Sequence, residues 1–288
     1  MEIRPMDPED VPLAQQLSDD AFYEAAVQSR RASDPPAQRR SEARVASWIA
    51  RTTKFLATDA EGCFVAYDSE GLAGFAASIR RDDVLWILST FAVRPGLQGL
   101  GLGKRLLDAA MTYGSGCPRW MLSASDDPKA LRRYRLAGFD LHPQLMLHGT
   151  IDRSLLVAVD GVREGTASDL DLVDDIDRKV RGAGHGRDHA ALSAAGTLVV
   201  DTAGRGYAYT ELSGPILLAA LDESTAIRLM WECLARTTGP ATVGHVTGAN
   251  QWAVDVGLAA RLAIGAEGLL GVRGMAPPSL YLHHGALL

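Results

Sequence analysis

The sequence predicts a mixed α/β protein made of two similar halves, and three observations carry that prediction. Segments with helical and strand periodicity alternate along the chain. The pattern that opens with Ile3-Arg4 begins again at Val162-Arg163, and Asp10-Val11-x-Leu13 is echoed by Asp169-Leu170-x-Leu172, each pair being 159 residues apart. The length of 288 residues suits two domains, each large enough to bury its own core.

The elements of the first half follow in order. Ile3–Met6 reads as a short strand, after which Asp7 caps an amphipathic helix through Leu13, Leu17 and Phe22. Residues 23–36 are polar and close on the loop signal Asp34-Pro35-Pro36. Ala43, Val45, Trp48 and Ile49 mark a second helix. Phe64–Tyr67 and Ala73–Ile79 form a hairpin around Asp68-Ser69-Glu70-Gly71. Val84–Val93 is so apolar that it reads as a central strand covered on both faces. A helix over 104–113, a strand Trp120–Ser123, a helix Pro128–Ala137 and a strand Gln144–Ile151 complete the half.

Residues 152–166 read as a linker, and 167–288 repeat the order in shorter form. Leu198–Val200 and Gly206–Tyr209 echo the hairpin, Ile216–Leu221 the central strand, Ala226–Leu234 the helix after it and Thr242–Val246 the next strand. Asn250-x-x-Ala253 corresponds to Asp127-x-x-Ala130. The expected domains are therefore 1–151 and 167–288, joined by 152–166.

Composition excludes several classes. A net charge of −6 argues against a nucleic-acid binder, which needs a basic face. No apolar run approaches the roughly 20 residues of a membrane span, and Met1–Asp7 lacks the apolar region of a signal peptide, so a cytoplasmic protein is expected. Cys63, Cys117 and Cys233 are odd in number and far apart, which suggests neither a disulfide framework nor a metal site.

The informative segment is Val93-Arg94-Pro95-Gly96-Leu97-Gln98-Gly99-Leu100-Gly101-Leu102-Gly103-Lys104. Pro95 ends the strand because it has no N–H to donate. The glycines at 96, 99, 101 and 103 then allow a sharp turn that leaves backbone amides uncovered at a helix start, a binding place for an anion such as pyrophosphate. A Walker A loop fails, since Gln98 stands five before Gly103 and Arg105 follows Lys104; the Rossmann spacing fails after Gly99-x-Gly101. Gln98-x-x-Gly101-x-Gly103 after Val-Arg-Pro resembles the acetyl-CoA loop of the GNAT superfamily of N-acetyltransferases, and the supporting element order covers residues 3 to about 150.

That resemblance implies two tandem GNAT-like acyl-CoA N-acyltransferase domains. It also implies acetyl-CoA as co-substrate, no metal, and direct attack on the thioester by an amine of a small molecule or peptide. Gln98, Gly99, Leu100, Gly101, Leu102, Gly103 and Lys104 would hold the pyrophosphate, and Phe91, Ala92 and Val93 would offer backbone groups to the pantetheine and acetyl carbonyl. Tyr134, in Tyr134-x-x-x-Gly138-Phe139, would protonate the departing thiolate. Asp127 stands where the family often has Asn; it would cap the helix and contact the cofactor.

The base stays open. The strand Trp86–Phe91 holds no carboxylate; Asp82, Asp83, His142, His148 and the Leu288 carboxylate are the alternatives. The segment 23–40 and the loop around His142 would line the acceptor pocket, and Arg30, Arg31, Arg39 and Arg40 favour an anionic acceptor as readily as the net charge favours a cationic one. In the second half Asp222-Glu223-Ser224 replaces the glycine loop and Gly257 stands in the tyrosine's place, so no cofactor is expected there. Sheet completion, shaping of the acceptor pocket and homodimerisation are left as its roles. A non-catalytic acyl-CoA-binding sensor or scaffold is the competing reading.

Overall fold

The computed structural model describes residues 1–30 and 36–288. Asp34-Pro35 of the expected loop signal, and Arg31, lie outside them. The chain divides into two compact units, Met1–Phe139 and Asp140–Leu288.

The first unit contains β1 (Glu2–Pro5), α1 (Asp10–Ser29), α2 (Glu42–Thr58), β2 (Cys63–Asp68), β3 (Gly71–Arg81), β4 (Leu85–Val93), α3 (Leu102–Tyr113), β5 (Arg119–Ala124) and α4 (Pro128–Leu136). Its strands run β1-β2-β3-β4-β5; the first four are antiparallel neighbours, and β5 lies parallel to β4. β4 is buried from Leu85 to Ser89, as its unbroken apolar run requires. Helices cover both faces. Trp48 of α2 packs edge-on against Phe75 of β3, with ring centroids 5.8 Å apart, while Ser78 and Trp86 donate to the Ala110 carbonyl of α3.

The first helix differs from its expectation at both ends. It is preceded by Glu9 rather than capped by Asp7, whose carboxylate pairs with Arg4; Asp10 instead accepts the Asp7 amide. Val11, Ala14 and Leu17 are buried while Leu13 and Phe22 face solvent, so the apolar stripe is rotated from the expected one. The helix also runs through half of the polar stretch to Ser29, because Glu24, Ala25, Ala26 and Gln28 are good helix formers and Gln28 bonds Glu24 one turn back.

The second unit contains β6 (Asp140–Thr150), β7 (Val162–Glu164), α5 (Leu170–Val180), α6 (His189–Ala195), β8 (Thr197–Asp201), β9 (Gly206–Glu211), β10 (Gly214–Ala220), α7 (Glu223–Arg236), β11 (Pro240–Thr247), α8 (Gln251–Ala259), β12 (Ala263–Arg273) and β13 (Tyr281–Leu282). One sheet runs β13-β10-β9-β8-β7, and β6 lies antiparallel between β11 and β12. Leu147, Leu218, Leu229, Leu234, Val243 and Trp252 belong to its shared core.

Two boundaries differ from the sequence expectation. The first compact unit ends at Phe139 rather than Ile151, because β6 finds its ladder partners β11 and β12 in the second unit. Within 152–166, expected as linker, Val162–Glu164 forms β7 and pairs with β8, while Arg153 donates to the Ala235 and Thr237 carbonyls.

One detail recurs in both units at the same offset. Arg4 holds Asp10 through two hydrogen bonds of 2.8 and 2.9 Å, and Asp10 accepts the amide of Asp7. Arg163 holds Asp169 through bonds of 3.0 and 2.6 Å, and Asp169 accepts the amide of Thr166.

Candidate functional site

The site is assembled where β4 leaves its parallel neighbour. Leu85–Leu88 pair with Arg119–Leu122 and the ladder then stops, although β4 continues to Val93. On its other edge, Ala77 pairs with Thr90 and Ser78 with Leu88, which makes Ser89 the extra residue of a bulge. Phe91, Ala92 and Val93 therefore have β3 on one side and a parted edge on the other, so part of their backbone hydrogen-bonding capacity faces the opening. Directly paired residues share a face. Ala92 and Thr90 thus lie on the face of Phe75 and Ala77, while Phe91 and Val93 lie on the opposite face, near Gly103.

The glycine loop follows at once. Arg94 anchors it by pairing with Asp68 and Glu70 of the hairpin turn, both at 2.6 Å. Gly96, Gly99 and Gly101 have φ of +86°, +85° and +89°, a conformation costly for other residues, and an added Cβ at any of them would meet no heavy atom within 4 Å. This leaves open room above the loop. The helix α3 starts at Leu102, two residues before the expected Lys104, and its first bond runs from the Arg105 amide to the Gly101 carbonyl. The amides of Leu102, Gly103 and Lys104 precede that bond and point out of the positive end of the helix. Gly103 stands over Phe91 and Val93, where a Cβ would make ordinary van der Waals contact at 3.4 Å from Phe91 Cζ and 3.6 Å from Val93 Cγ2. Around the loop, Leu100 is exposed, Lys104 pairs with Asp108, and Gln98 accepts from Lys129 Nζ at 3.3 Å.

Tyr134 on α4 is 5% exposed and packs against Phe91. Burial, and secondarily the charge of Asp127, push its phenol well above the ordinary value of 10, so it keeps its proton. Asp127 caps α4, its carboxylate accepting the Lys129 amide at 2.9 Å with Pro128 in the first helical position. The sequence-selected residues Phe91, Ala92, Val93, Gln98 to Lys104, Asp127 and Tyr134 all fall in the first unit. The hydrogen bond made by Asp127 is the helix cap.

The candidates for a base fare differently. Asp82 and Asp83 are exposed in the β3–β4 turn, Asp83 paired with Arg80, at the end of β4 remote from Phe91. His142 and His148 lie on β6 in the second unit, half-buried and exposed respectively. Leu288 belongs to the second unit, where its carbonyl accepts from buried Arg181.

The second unit handles the corresponding strand-to-helix turn without a glycine loop. Asp222 closes the start of α7 with its own carboxylate, which accepts from the Thr225 amide and hydroxyl. Gly257 sits inside α8, where a Cβ would press on Leu147. Asn250 is spent structurally, receiving Trp252 Nε1 and the Tyr281 amide.

Sequence reasoning missed several groups. Ser89 is buried and its hydroxyl has no hydrogen-bond partner among the described residues, as is true of Arg40 Nη1, Arg51 Nε and Thr52 Oγ1. Only Arg40 had been singled out, for its charge. Elsewhere, Asp174, Asp177 and His189 bring metal-ligand atom types within 4.8 Å of one another. His189 bonds Asp174 and Tyr209, while Asp177 bonds His185 and Tyr207.

Comparison with known proteins places this geometry in context. Residues 20–139 match the model of the acetyltransferase (GNAT) family. Holothin acyltransferase of Pseudoalteromonas sp. (strain SANK 73390) is 26% identical over 131 residues, which are 46% of this chain and 44% of that one; the match thus spans less than half of that relative. The fold is similar to the crystal structure of a proposed acetyltransferase from Pyrococcus horikoshii, with a TM-score of 0.75 at 15% identity over 99% of this chain and 94% of that chain. It is also similar to a GCN5-related N-acetyltransferase from Sphaerobacter thermophilus, with a TM-score of 0.58 at 15% identity over 94% and 95% of the two chains. These likenesses establish a shared mixed α/β fold.

Proposed function

We propose, from the GNAT match of residues 20–139 and the site built on them, that the protein transfers an acetyl group from acetyl-CoA to the amine of a small-molecule or peptide acceptor. One observation carries this reading: an open glycine loop and an uncapped helix start directly follow a strand that has parted from its neighbour, with a buried phenol beside it. The room above Gly96, Gly99 and Gly101 suits a diphosphate, and the parted edge of β4 suits an extended amide-bearing arm.

Acetyl-CoA supplies the activated thioester. In the proposed roles, the amides of Leu102, Gly103 and Lys104 neutralise the diphosphate, with Gln98, Gly99, Leu100 and Gly101 shaping the loop around it. Backbone groups of Phe91, Ala92 and Val93 orient the acetyl carbonyl and polarise it through a fixed N–H. Tyr134 holds a proton at Oη, ready for the thiolate leaving group, and its raised pKa keeps that proton in place at neutral pH. Attack is direct, so positioning two substrates together supplies much of the rate. The second unit, with Asp222 capping α7, acts in this reading as a degenerate copy that binds no cofactor.

A second reading, a non-catalytic acyl-CoA sensor or scaffold, draws on the absence of any carboxylate between Leu85 and Val93. Measuring CoA release with a panel of amines, amino acids, aminoglycosides and peptides separates the two. Release with any acceptor supports transfer; acetyl-CoA binding without release from any of them supports the sensor.

A further inference from the structure

Three of the buried polar atoms left without partners among the described residues lie on the short stretch from Arg40 to Thr52. Arg40 Nη1, Arg51 Nε and Thr52 Oγ1 are all buried, and none has a hydrogen-bond partner among the described residues. Buried donors are normally satisfied, and a cluster that is not calls for a missing partner. The nearest acid, Asp19, does not supply it: its Oδ1 stands 3.7 Å from Arg40 Nη1, beyond hydrogen-bond distance, and accepts the Arg40 backbone amide. Its other oxygen is taken by Arg39, which also holds Asp20. Arg40 Nη2 donates to buried Ser18, and its guanidinium lies over the Phe22 ring. Burial, with the like charge of Arg40 close by, pushes the Arg51 guanidinium down to about 10.

Thr52 lies on the buried stripe of α2 between Trp48 and Phe55 and is 0% exposed. Trp48 packs on Phe75, whose face of the sheet also carries Thr90 and Ala92 at the parted end of β4. The helix α2 that carries Arg51 and Thr52 therefore covers the face opposite that of Gly103, Phe91 and Val93. Two guanidiniums and a hydroxyl are the kinds of donor that the oxygens of one carboxylate or phosphate accept together.

We propose that Arg40 and Arg51, with the Thr52 hydroxyl, bind an oxyanion carried by the acceptor, which is thus an amine bearing a carboxylate or a phosphate. The assignment of that anion to the acceptor rests on the acyl transfer proposed above. The buried Arg51 Nε and Arg40 Nη1, which have no partner among the described residues, are satisfied on binding.

The test has two arms. In turnover, CoA release is followed with matched acceptors: glycine against glycinamide for the carboxylate, phosphoethanolamine against ethanolamine for the phosphate. The anionic member of one pair is expected to exceed its neutral partner in kcat/KM by about tenfold or more. Arg51→Gln should abolish that preference through KM, leaving acetyl-CoA affinity unchanged. Equal use of neutral and anionic acceptors overturns the proposal. So does loss of acetyl-CoA affinity in Arg51→Gln, which would give the guanidinium to the phosphates of CoA.

The second arm needs no catalysis. N-acetylglycine or inorganic phosphate, at constant ionic strength, should raise the melting temperature of the parent but not of Arg51→Gln. Arg51→Met in anion-free buffer should melt about 2–4 °C above the parent, because a buried donor with no partner among the described residues is gone. A lower melting temperature for Arg51→Met, or no anion response in the parent, makes the arginine structural and overturns the proposal. If acetyl-CoA fails to bind, acyl transfer fails, while this arm still decides whether the cluster is an anion site.

Discussion

The ring of Tyr134 lies edge-on to Phe91, with centroids 6.4 Å apart, and Gly103 approaches the same Phe91 so closely that its Cβ would lie 3.4 Å from Cζ. The loop, the parted strand and the phenol are thereby fixed to one another through a single aromatic side chain. Tyr134→Phe keeps the packing and removes only the proton. It should lower kcat about 10²-fold while leaving acetyl-CoA affinity within about twofold. Because burial raises the phenol's pKa, the parent should retain this acid up to at least pH 10; a fall in kcat below that pH that is absent from Tyr134→Phe would contradict the raised pKa.

The contact of Gly103 with Phe91 and Val93 yields a graded series. Gly103→Ala adds only ordinary to slightly tight contacts and should be tolerated, whereas Gly103→Val must displace Phe91. The larger substitution should cost about 1–3 kcal/mol of stability and weaken acetyl-CoA binding, as read by melting with and without the ligand.

The twin pairs Arg4–Asp10 and Arg163–Asp169 should behave alike. Burial alone would raise the Asp10 carboxyl, but bonds from Arg4, Tyr67 and the Asp7 amide outweigh it and hold it below the usual range. Asp169 is held low by Arg163 and then by the Thr166 amide. Replacing either Asp with Ala should cost about 1.5–3 kcal/mol, and hydrogen exchange should locate the loss in the first unit for Asp10 and in the second for Asp169. Both contributions are present above the ordinary carboxylate pKa and disappear as acid protonates the folded-state group.

Acid should also weaken the second unit through His283. This ring is 2% exposed and stacked on His245 at 4.3 Å; it accepts from Gln144 Nε2 through Nε2, while Nδ1 faces the His284 carbonyl. Those bonds suit the neutral ring. Burial, then the nearby charge of His245, lower its pKa well below 6.5. The unfolded chain therefore binds the extra proton first, and stability falls as pH drops below 6.5, by up to about 1.4 kcal/mol per pH unit. His283→Gln should flatten the slope of melting temperature against pH in that range.

How much was legible in the sequence follows from what is local. The glycine loop, the central strand, the Asp127 cap and Tyr134 could be read because each depends on a few consecutive residues. The Arg–Asp repeat was legible as a shared offset, though its bidentate geometry was not. Strand partnership was hidden: nothing in Asp140–Thr150 says that its neighbours are β11 and β12, chosen across about a hundred residues. The rotation of α1 was missed because Leu13 and Phe22 are as apolar as the residues that are buried. That Arg51 Nε, Thr52 Oγ1 and Ser89 Oγ have no partner among the described residues was invisible, because it depends on what surrounds an atom and not on its residue type.

The central claim is that the loop of the first unit, and not the second unit, binds acyl-CoA. Titration calorimetry with acetyl-CoA tests it most directly, on the parent and on Gly101→Glu, which places an acid at a backbone conformation of φ +89° above the loop. The account predicts one site per chain in the parent and none in the variant. Two sites per chain, no binding in the parent, or full binding in Gly101→Glu would contradict it.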